Sequence, residues 1–316
     1  MLRKLTITLL AVALSGIGIA AVVSGAGASA DNQTSSVLYS SLVSPYSATN
    51  SPNDSYSATN LPNEWWSFSF GGNNATQFGD KINLASQSSL GSATVILDSQ
   101  ACQTGSGTSC VTTDPRATFP VSITFTIYEP GASSGTVGAV LASETQTFNV
   151  PYRPSANSIA CPAGTPSIFP GPPPLDGGEW FNPATGTCYY GKTYAATFKH
   201  FTSHSHGLPT TVVYGVSYSA SSSLAASSLN VLLSTESASG AVTVGSDTDP
   251  GNLFLADTAA GTTSPEITCT TPVGTSFAEY NTAVGAGGCG TDTQQGPGAP
   301  YEPIAFVPAV ELDSSN

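Results

Sequence analysis

Two carboxylates and a tryptophan stand close together in one segment of the sequence. Asp176 and Glu179 precede Trp180 in a stretch rich in proline and glycine, which Cys161 and Cys188 enclose. A pair of carboxylates is what glycoside hydrolysis requires. The same three side chains also suit sugar binding without chemistry, with the ring stacked on the sugar and the acids accepting hydrogen bonds from its hydroxyls. In a purely structural interpretation, the ring caps one end of the fold and both acids face water.

Two adjacent tryptophans are further candidates for ligand binding. If Trp65 and Trp66 lie on a strand, their side chains point to opposite faces, so only one of them can enter the core. The other then packs under the N-terminal arm, lies at an edge, or faces solvent, where it can stack on a ligand.

A short acidic segment resembles a calcium-binding loop. Asp247 and Asp249 alternate before a Pro-Gly turn, and Asn252 follows that turn. A calcium ion needs about six to eight oxygen ligands, whereas this segment supplies two carboxylates and one amide. Asp257 adds another oxygen if the chain folds back. The sequence predicts either a structural calcium site or a plain turn here, and no other cofactor.

All three histidines of the chain lie close together, at His200, His204 and His206. Imidazole is a good ligand for zinc or copper, and two histidines separated by one residue share a face of a strand. The segment also has the composition of a loop tip, in which the histidines would be solvated. Both interpretations stay open.

Other arrangements that could support catalysis are incomplete. A Gly-x-Ser-x-Gly motif occupies residues 131–135, but a strand-forming segment follows it where a nucleophile elbow requires a helix. Nucleophilic chemistry needs a base beside the nucleophile, and metal-dependent hydrolysis needs about three protein ligands, which only the histidines could approach. We therefore expect no catalysis, with Asp176 and Glu179 as the remaining candidates for it.

The N-terminus has the three parts of a secretory signal peptide. Arg3 and Lys4 supply positive charge, residues 5–23 are apolar or small, and residues 28–30 form an Ala-Ser-Ala cleavage site. We predict cleavage after Ala30 and an extracellular protein without a membrane span after cleavage. An uncleaved membrane anchor is the alternative, because the apolar stretch is almost long enough to cross a bilayer.

The cysteines fit an exported protein. There are six, an even number, which is typical of a disulfide framework. Pairing in sequence order gives three local disulfides, Cys102–Cys110, Cys161–Cys188 and Cys269–Cys289. Other pairings are formally possible, but a zinc site is disfavoured because no Cys-x-x-Cys pair occurs.

The composition excludes several classes of function. Lys and Arg number 7 against 20 Asp and Glu, a formal net charge of −13, which argues against binding to nucleic acid or to anionic lipid. Only 9% of residues are charged while 40% are hydrophobic, which is not the composition of a disordered acidic chain. Abundant glycine and proline disfavour long helices and favour a β-rich fold.

Alternation of apolar and polar residues predicts the strands that must position these side chains. Between Val121 and Ile127, apolar residues occupy every second position, which is the pattern of a half-buried strand. About ten short segments of this kind occur, and no amphipathic helix of about a dozen residues separates them. Residues 304–312 form the last segment, which Pro308 breaks. The sequence predicts an all-β fold, an antiparallel two-sheet β-sandwich of jelly-roll type with long disulfide-bearing loops.

We divide the chain into a signal peptide at residues 1–30, an irregular N-terminal arm at residues 31–63, and a single sandwich domain at residues 64–316. The arm contains two copies of a Tyr-Ser-Ala-Thr-Asn sequence. Two copies are too few for a repeat architecture.

Three segments resemble jelly-roll sandwich domains of secreted bacterial proteins, a group that includes carbohydrate-binding modules and cell-surface domains. Residues 123–129 form a strand before a Gly-rich turn, residues 138–143 follow that turn, and residues 301–306 are similar to the last strand of such domains. The resemblance covers about residues 65–312. It implies the sandwich fold and a binding role, and it carries over no site residues.

The sequence thus favours a secreted, non-catalytic binding or cell-surface module, with an extracellular polysaccharide or a cell-surface component as its partner. One alternative is a secreted hydrolase, a glycosidase or an acid-active carboxyl peptidase that uses an Asp/Glu pair. Another is a purely structural extracellular or adhesion protein. Binding predicts aromatic side chains on an exposed sheet face or loop rim, and hydrolysis predicts two carboxylates that converge in a concave pocket. A structural protein predicts neither.

Overall fold

A computed structural model describes the chain at residues 35–42, 67–69, 75–132, 136–165, 175–183, 186–203, 207–219, 223, 225–236, 242–248, 252–257, 278–281 and 305–315. All of these belong to one unit, residues 34–316. The predicted signal peptide and most of the predicted arm lie outside the described residues.

The described residues form short strands joined by turns and loops. In chain order the strands are β1 (Val37–Ser40), β2 (Ser67–Ser69), β3 (Ala75–Asn83), β4 (Leu90–Ser99), β5 (Thr118–Pro130), β6 (Val137–Pro151), β7 (Trp180–Asn182), β8 (Thr187–Tyr189), β9 (Lys192–Phe198), β10 (Thr202–Ser203), β11 (Thr211–Tyr218), β12 (Leu229–Glu236), β13 (Ser246–Asp247), β14 (Asn252–Asp257), β15 (Ala278–Asn281), β16 (Ala305–Pro308) and β17 (Val310–Ser314). Single 3₁₀ turns occur at Gly107–Ser109 and Ala226–Ser228. No helix in the described ranges is long and apolar enough to cross a membrane.

Within these residues the strands assemble into a seven-stranded sheet, an eight-stranded sheet and a two-stranded hairpin. The seven-stranded sheet has the order β1-β17-β4-β12-β16, with β2 paired to β12 and β9 paired to β4. The eight-stranded sheet has the order β10-β6-β5-β11-β3-β14-β15, with β13 paired to β3, and β7 pairs with β8. The pairings are antiparallel, which confirms the predicted all-β, two-sheet sandwich.

The period of two that predicted β5 also decides which of its side chains enter the core. The buried side chains of β5 include Phe119, Val121, Ile123 and Phe125. Pro120 and Ser122, which alternate with the first three of them, are exposed. In a strand, successive side chains point to opposite faces, so one face of β5 packs on the other sheet and one meets solvent.

The same alternation operates in the C-terminal strand β17. Val310 and Leu312 belong to the hydrophobic core. Glu311 and Asp313 therefore project from the opposite face of the seven-stranded sheet. Pro308 ends β16 and Ala309 separates it from β17, as the proline in this segment predicted.

Aromatic side chains from both sheets meet in the core. Phe125 of β5 stacks on Tyr214 of β11, with ring centroids 5.8 Å apart and an angle of 6°. Phe198 of β9 reaches across from the seven-stranded sheet, 5.6 Å from Phe125 and 5.0 Å from Phe148. Tilted and edge-to-face aromatic pairs of this kind stabilise a core beyond the area that they bury.

Strands also occur in two cysteine-bearing segments, where the sequence predicts long disulfide-bearing loops. The Pro/Gly-rich excursion at residues 154–190 holds the hairpin of β7 and β8, and residues 258–300 hold β15. β15 pairs with β14 in a register that joins Asn252 to Asn281. Such a distant partner stabilises a strand that is too short to be recognised from its own sequence.

Two of the three predicted disulfides are confirmed. Cys102 pairs with Cys110 and Cys161 pairs with Cys188. Cys269 and Cys289 lie outside the described residues. The first disulfide closes the loop after β4, and the second joins the excursion to β8.

Candidate functional site

A cleft of about 520 Å³ covers the face of β17 and β4 that points away from the core, and it extends past β9 to side chains of β6 in the other sheet. We call it the outer cleft, and the residues that line it include Ser92, Thr94, Tyr194, Thr197, Glu311 and Asp313. Neighbouring strands β1, β17, β4 and β9 supply most of its lining. The floor is therefore a continuous piece of sheet, and antiparallel pairing fixes the relative positions of its side chains.

One cross-strand row of the floor centres on Glu311. Glu311 lies opposite Ser40 on β1 and opposite Thr94 on β4, and Thr94 in turn lies opposite Thr197 on β9. The Ser40 hydroxyl donates to Glu311 Oε2 at 3.0 Å, and the hydroxyls of Thr94 and Thr197 are 2.9 Å apart. Glu311 is only 7% exposed, so this carboxylate is at the bottom of the outer cleft.

The next row centres on Asp313, two residues further along the same strand. Asp313 lies opposite Ser92 on β4, whose hydroxyl donates to Asp313 Oδ2 at 2.8 Å. Asp313 is partly exposed. Because residues i and i+2 of a strand share a face, the carboxyl groups of Glu311 and Asp313 stand side by side in the outer cleft.

An aromatic wall and an amide close one side of the outer cleft. Gln146 and Phe148 reach it from β6 of the eight-stranded sheet, and Tyr194 comes from β9. The rings of Phe148 and Tyr194 meet edge to face, with centroids 6.3 Å apart. Burial raises the pKa of Tyr194 above its usual value, so its hydroxyl remains protonated and can donate a hydrogen bond through acid and neutral pH.

Two basic side chains lie at the rim of the outer cleft. Lys199 and His200 follow β9, and both are exposed. The backbone N–H of His200 donates to Glu144 Oε2 at 2.7 Å, which ties the rim to β6. His204 and His206, the other members of the predicted metal-binding cluster, lie outside the described residues. No group of three or more His, Cys, Asp or Glu side chains suited to a metal occurs in the described part of the chain.

The acids first identified from the sequence lie elsewhere, in a turn that they themselves stabilise. Glu179 is fully buried, and its two carboxylate oxygens accept the backbone N–H groups of Asp176 and Gly177, each at 3.0 Å. Asp176 Oδ1 accepts the N–H of Gly178 at 2.6 Å. Gly177 has a φ of +83°, a conformation that glycine adopts without strain. We call residues 176–179 the acid turn.

Arg153 anchors the acid turn to a second loop. Its guanidinium donates to the carbonyl of Gly178 at 2.7 Å and to the carbonyl of Gly107 at 3.3 Å. The two loops approach so closely that a Cβ on Gly178 would lie 2.8 Å from the carbonyl carbon of Gly107. Arg153 is 4% exposed, and burial lowers its pKa below the usual value.

Asp98 at the end of β4 belongs to the same buried polar region. Burial raises its pKa to about 6, against hydrogen bonds from Gln100 and Ser67 and the nearby charge of Arg153. Gln100 Nε2 donates to Asp98 Oδ2 at 3.2 Å and the Ser67 hydroxyl donates at 3.3 Å. This carboxyl is enclosed and does not line the outer cleft. Its raised pKa therefore affects the stability of the folded protein and not the chemistry of the cleft.

Trp180 packs onto the hairpin that begins with it. Its indole N–H donates to the carbonyl of Gly191 at 2.8 Å. Its ring lies 5.2 Å from the ring of Tyr189 on the paired strand β8. Trp180 remains partly exposed, but its polar atom is already bonded within the fold. Trp65 and Trp66 lie outside the described residues.

The residues of the predicted calcium loop are spread along β3. Asp247 on β13 lies opposite Ile82, whereas Asp257 at the end of β14 lies opposite Ala75. Seven residues of extended strand span about 23 Å, so the fold does not bring Asp257 to Asp247. Asn252 begins β14, and Asp249 lies outside the described residues.

Comparison with protein-family models, curated proteins and solved structures gave no match. The fold and the site together define an all-β sandwich protein with a polar cleft on the outer face of one sheet.

The sequence did not indicate the outer cleft, although the predicted last segment, residues 304–312, contains Glu311 and ends one residue before Asp313. The order Val310-Glu311-Leu312-Asp313 alternates apolar and acidic residues, which by itself puts both acids on one face. What the sequence does not show is that β17 lies between β1 and β4 and that β9 pairs with β4, since these pairings join residues more than ninety positions apart.

Proposed function

We propose that this is an extracellular carbohydrate-binding protein and that the outer cleft is its ligand site. The observation that carries the proposal is the combination, in one cleft of about 520 Å³, of aromatic rings with carboxylate, amide and hydroxyl groups. Ligand pockets commonly measure about 300–1,000 Å³ and fix their ligand with a few placed polar groups. The predicted export signal and the two disulfides support an extracellular location.

The chemistry of the lining suits a polyhydroxylated ligand. Glu311 and Asp313 can accept hydrogen bonds from sugar hydroxyls, while Tyr194 and Gln146 can donate to sugar oxygens. The partly exposed ring of Tyr194 provides an apolar surface on which the face of a sugar ring can pack, and the buried ring of Phe148 supports it from the core. Carboxylates in the floor disfavour a phosphate-bearing ligand such as a nucleic acid.

Binding can be tested with a panel of soluble polysaccharides: barley β-glucan, xylan, starch, pectin and carboxymethyl-cellulose, with colloidal chitin as an insoluble member. We expect the secreted protein to be retarded by at least one of them in affinity electrophoresis. Asp313→Asn loses a charge-assisted hydrogen bond of about 1.5–3 kcal/mol, so it should weaken binding about 10- to 100-fold. Tyr194→Ala should weaken it as well.

The matched control is Glu129→Gln, which neutralises an exposed carboxylate on β5 of the other sheet. It should bind as the unmodified protein does. Absence of binding to every polysaccharide, or equal loss in Glu129→Gln and Asp313→Asn, would contradict the proposal and favour a structural protein.

A further inference from the structure

We infer that the outer cleft is also catalytic: Glu311 and Asp313 are placed to hydrolyse a glycosidic bond of a bound polysaccharide, with inversion at the anomeric carbon. The inference rests on the proposed function, since it requires a glycan in the outer cleft. It goes beyond binding because it assigns the two carboxylates to chemistry.

The spacing of the pair comes from the strand that carries it. Residues i and i+2 of a β-strand have Cα atoms about 6.7 Å apart. The hydroxyl of Ser40 on β1 holds Glu311, and the hydroxyl of Ser92 on β4 holds Asp313. Since β1 and β4 flank β17 on opposite sides, the two carboxyl groups are held by hydroxyls on opposite sides of the strand. This arrangement fits the wider separation of about 6.5–9.5 Å that leaves room for a water molecule in inverting glycosidases.

The two carboxyl groups differ in exposure, and this difference assigns their roles. Glu311 is 7% exposed at the bottom of the outer cleft, whereas Asp313 is more accessible to solvent. A carboxyl group in a less solvated position is suited to carry a proton, and one open to water is suited to accept a proton from it. Glu311 is therefore the general acid and Asp313 the general base.

The reaction consumes one water molecule. Glu311 transfers its proton to the glycosidic oxygen as the bond from that oxygen to the anomeric carbon breaks. Water attacks the anomeric carbon from the opposite side and gives up a proton to Asp313. The products are two shorter saccharides, one with a new reducing end of inverted configuration, and proton exchange with solvent restores both carboxyl groups.

Several other acids in the described part of the chain bind groups of the fold or are enclosed by it. Asp176 and Glu179 bind backbone N–H groups of their own turn. Glu144 binds the backbone N–H of His200, and Asp98 is enclosed beside Arg153. Glu311 and Asp313 differ because they line the outer cleft, where each accepts a hydrogen bond from a serine hydroxyl.

The test measures new reducing ends released by the full-length secreted protein from the same six polysaccharides. We expect turnover of a polysaccharide that it binds. Glu311→Gln and Asp313→Asn should each lower kcat by about 100- to 10,000-fold, the usual contribution of general acid–base catalysis. Glu129→Gln should keep the full rate. Proton NMR of the first product formed should show the inverted anomer.

Each other outcome has a defined consequence. Binding without release of reducing ends overturns the catalytic inference and leaves the proposed function intact, whereas neither binding nor release overturns both. Retention of anomeric configuration overturns the assigned roles. Cleavage of denatured casein, lost in Glu311→Gln, overturns the glycan as substrate. If Glu311→Gln does not fold, the more exposed Asp313→Asn decides the matter, and an unchanged rate in that variant overturns the inference.

Discussion

The acid turn and the outer cleft use the same residue types in opposite ways. In the acid turn, Glu179 and Asp176 accept backbone N–H groups, and Arg153 donates to backbone carbonyls. In the outer cleft, Glu311 and Asp313 accept hydrogen bonds from serine hydroxyls. A carboxylate bound to the main chain fixes the path of a loop, whereas one bound to a hydroxyl beside a cavity can exchange that partner for a ligand.

Proximity in sequence is therefore a poor guide to which acids form a site. Acids two or three residues apart in a Gly-rich segment readily bond their own backbone, because short polar side chains compete with water for nearby N–H groups. Acids that alternate with core residues on a strand cannot fold back in this way. Their side chains remain on the sheet face, where neighbouring strands decide what surrounds them.

The largest difference in stability between the two regions should come from removing Arg153, the buried cation that anchors the acid turn. Arg153→Met leaves the carbonyls of Gly178 and Gly107 without their donors and leaves Asp98 and Glu179 without a nearby positive charge. Breaking a buried charge network costs about 3–5 kcal/mol. We expect a loss of that size in the free energy of unfolding, measured by urea denaturation with the disulfides intact.

The matched control for Arg153→Met is Lys199→Met, which removes an exposed cation at the rim of the outer cleft. Its effect on the free energy of unfolding should stay within about 0.5 kcal/mol. Polysaccharide binding by folded Arg153→Met protein should equal that of the unmodified protein. Equal losses of stability in the two variants would contradict the division between a structural region and a functional one.

The next largest effect is a pH dependence centred on Asp98. Its pKa is raised from 3.8 to about 6 by burial, so between these values the folded protein holds a proton that the unfolded chain has released. Stability from this group is greatest at acid pH and falls as pH rises through that window, by about 3 kcal/mol in all for a shift of about two units. The positive charge of Arg153 acts on Asp98, and the charge of Asp98 in turn acts on the Tyr218 hydroxyl.

Asp98→Asn removes this titration while keeping an oxygen to accept from Ser67 or Gln100. The difference in free energy of unfolding between the variant and the unmodified protein should shift by about 3 kcal/mol in favour of the variant from pH 3.5 to pH 7.5. Urea denaturation at several pH values measures it. A difference that does not change with pH would show that the pKa of Asp98 is not raised in the folded protein.

The sequence predicted the fold more completely than the site, for a physical reason. Strand identity depends on local alternation, which is why β5 and the segment containing β17 were recognised, and the disulfides within Cys102–Cys110 and Cys161–Cys188 join cysteines that are near each other in the chain. Strand order depends on pairings between distant segments. The outer cleft requires β1, β17, β4 and β9 to be neighbours, and no local pattern encodes that order.

The candidate site residues were likewise recognised only where they are close together in the sequence. Asp176, Glu179 and Trp180 were found because they are adjacent in sequence, and the structure gives each of them a partner within the loops. Arg153 and Asp98 were missed because burial of a charge cannot be recognised until the surrounding loops are folded. Gly177 could have indicated the turn, since a glycine after an aspartate is typical of a positive φ.

The smallest predicted effect tests the distinction between the two kinds of carboxylate directly. In Glu179→Gln, one carboxylate oxygen becomes an NH₂ group that faces a buried backbone N–H, either of Asp176 or of Gly177. A backbone N–H cannot turn into an acceptor, so one hydrogen bond is replaced by two opposed donors, at a cost of about 1–3 kcal/mol.

In Asp313→Asn, the Ser92 hydroxyl can still donate to the amide oxygen or rotate to accept from the NH₂ group. We therefore expect urea denaturation to show a loss of about 2 kcal/mol for Glu179→Gln and under about 1 kcal/mol for Asp313→Asn, while polysaccharide binding shows the reverse order. A stable Glu179→Gln protein that no longer binds would move the ligand site from the outer cleft to the acid turn.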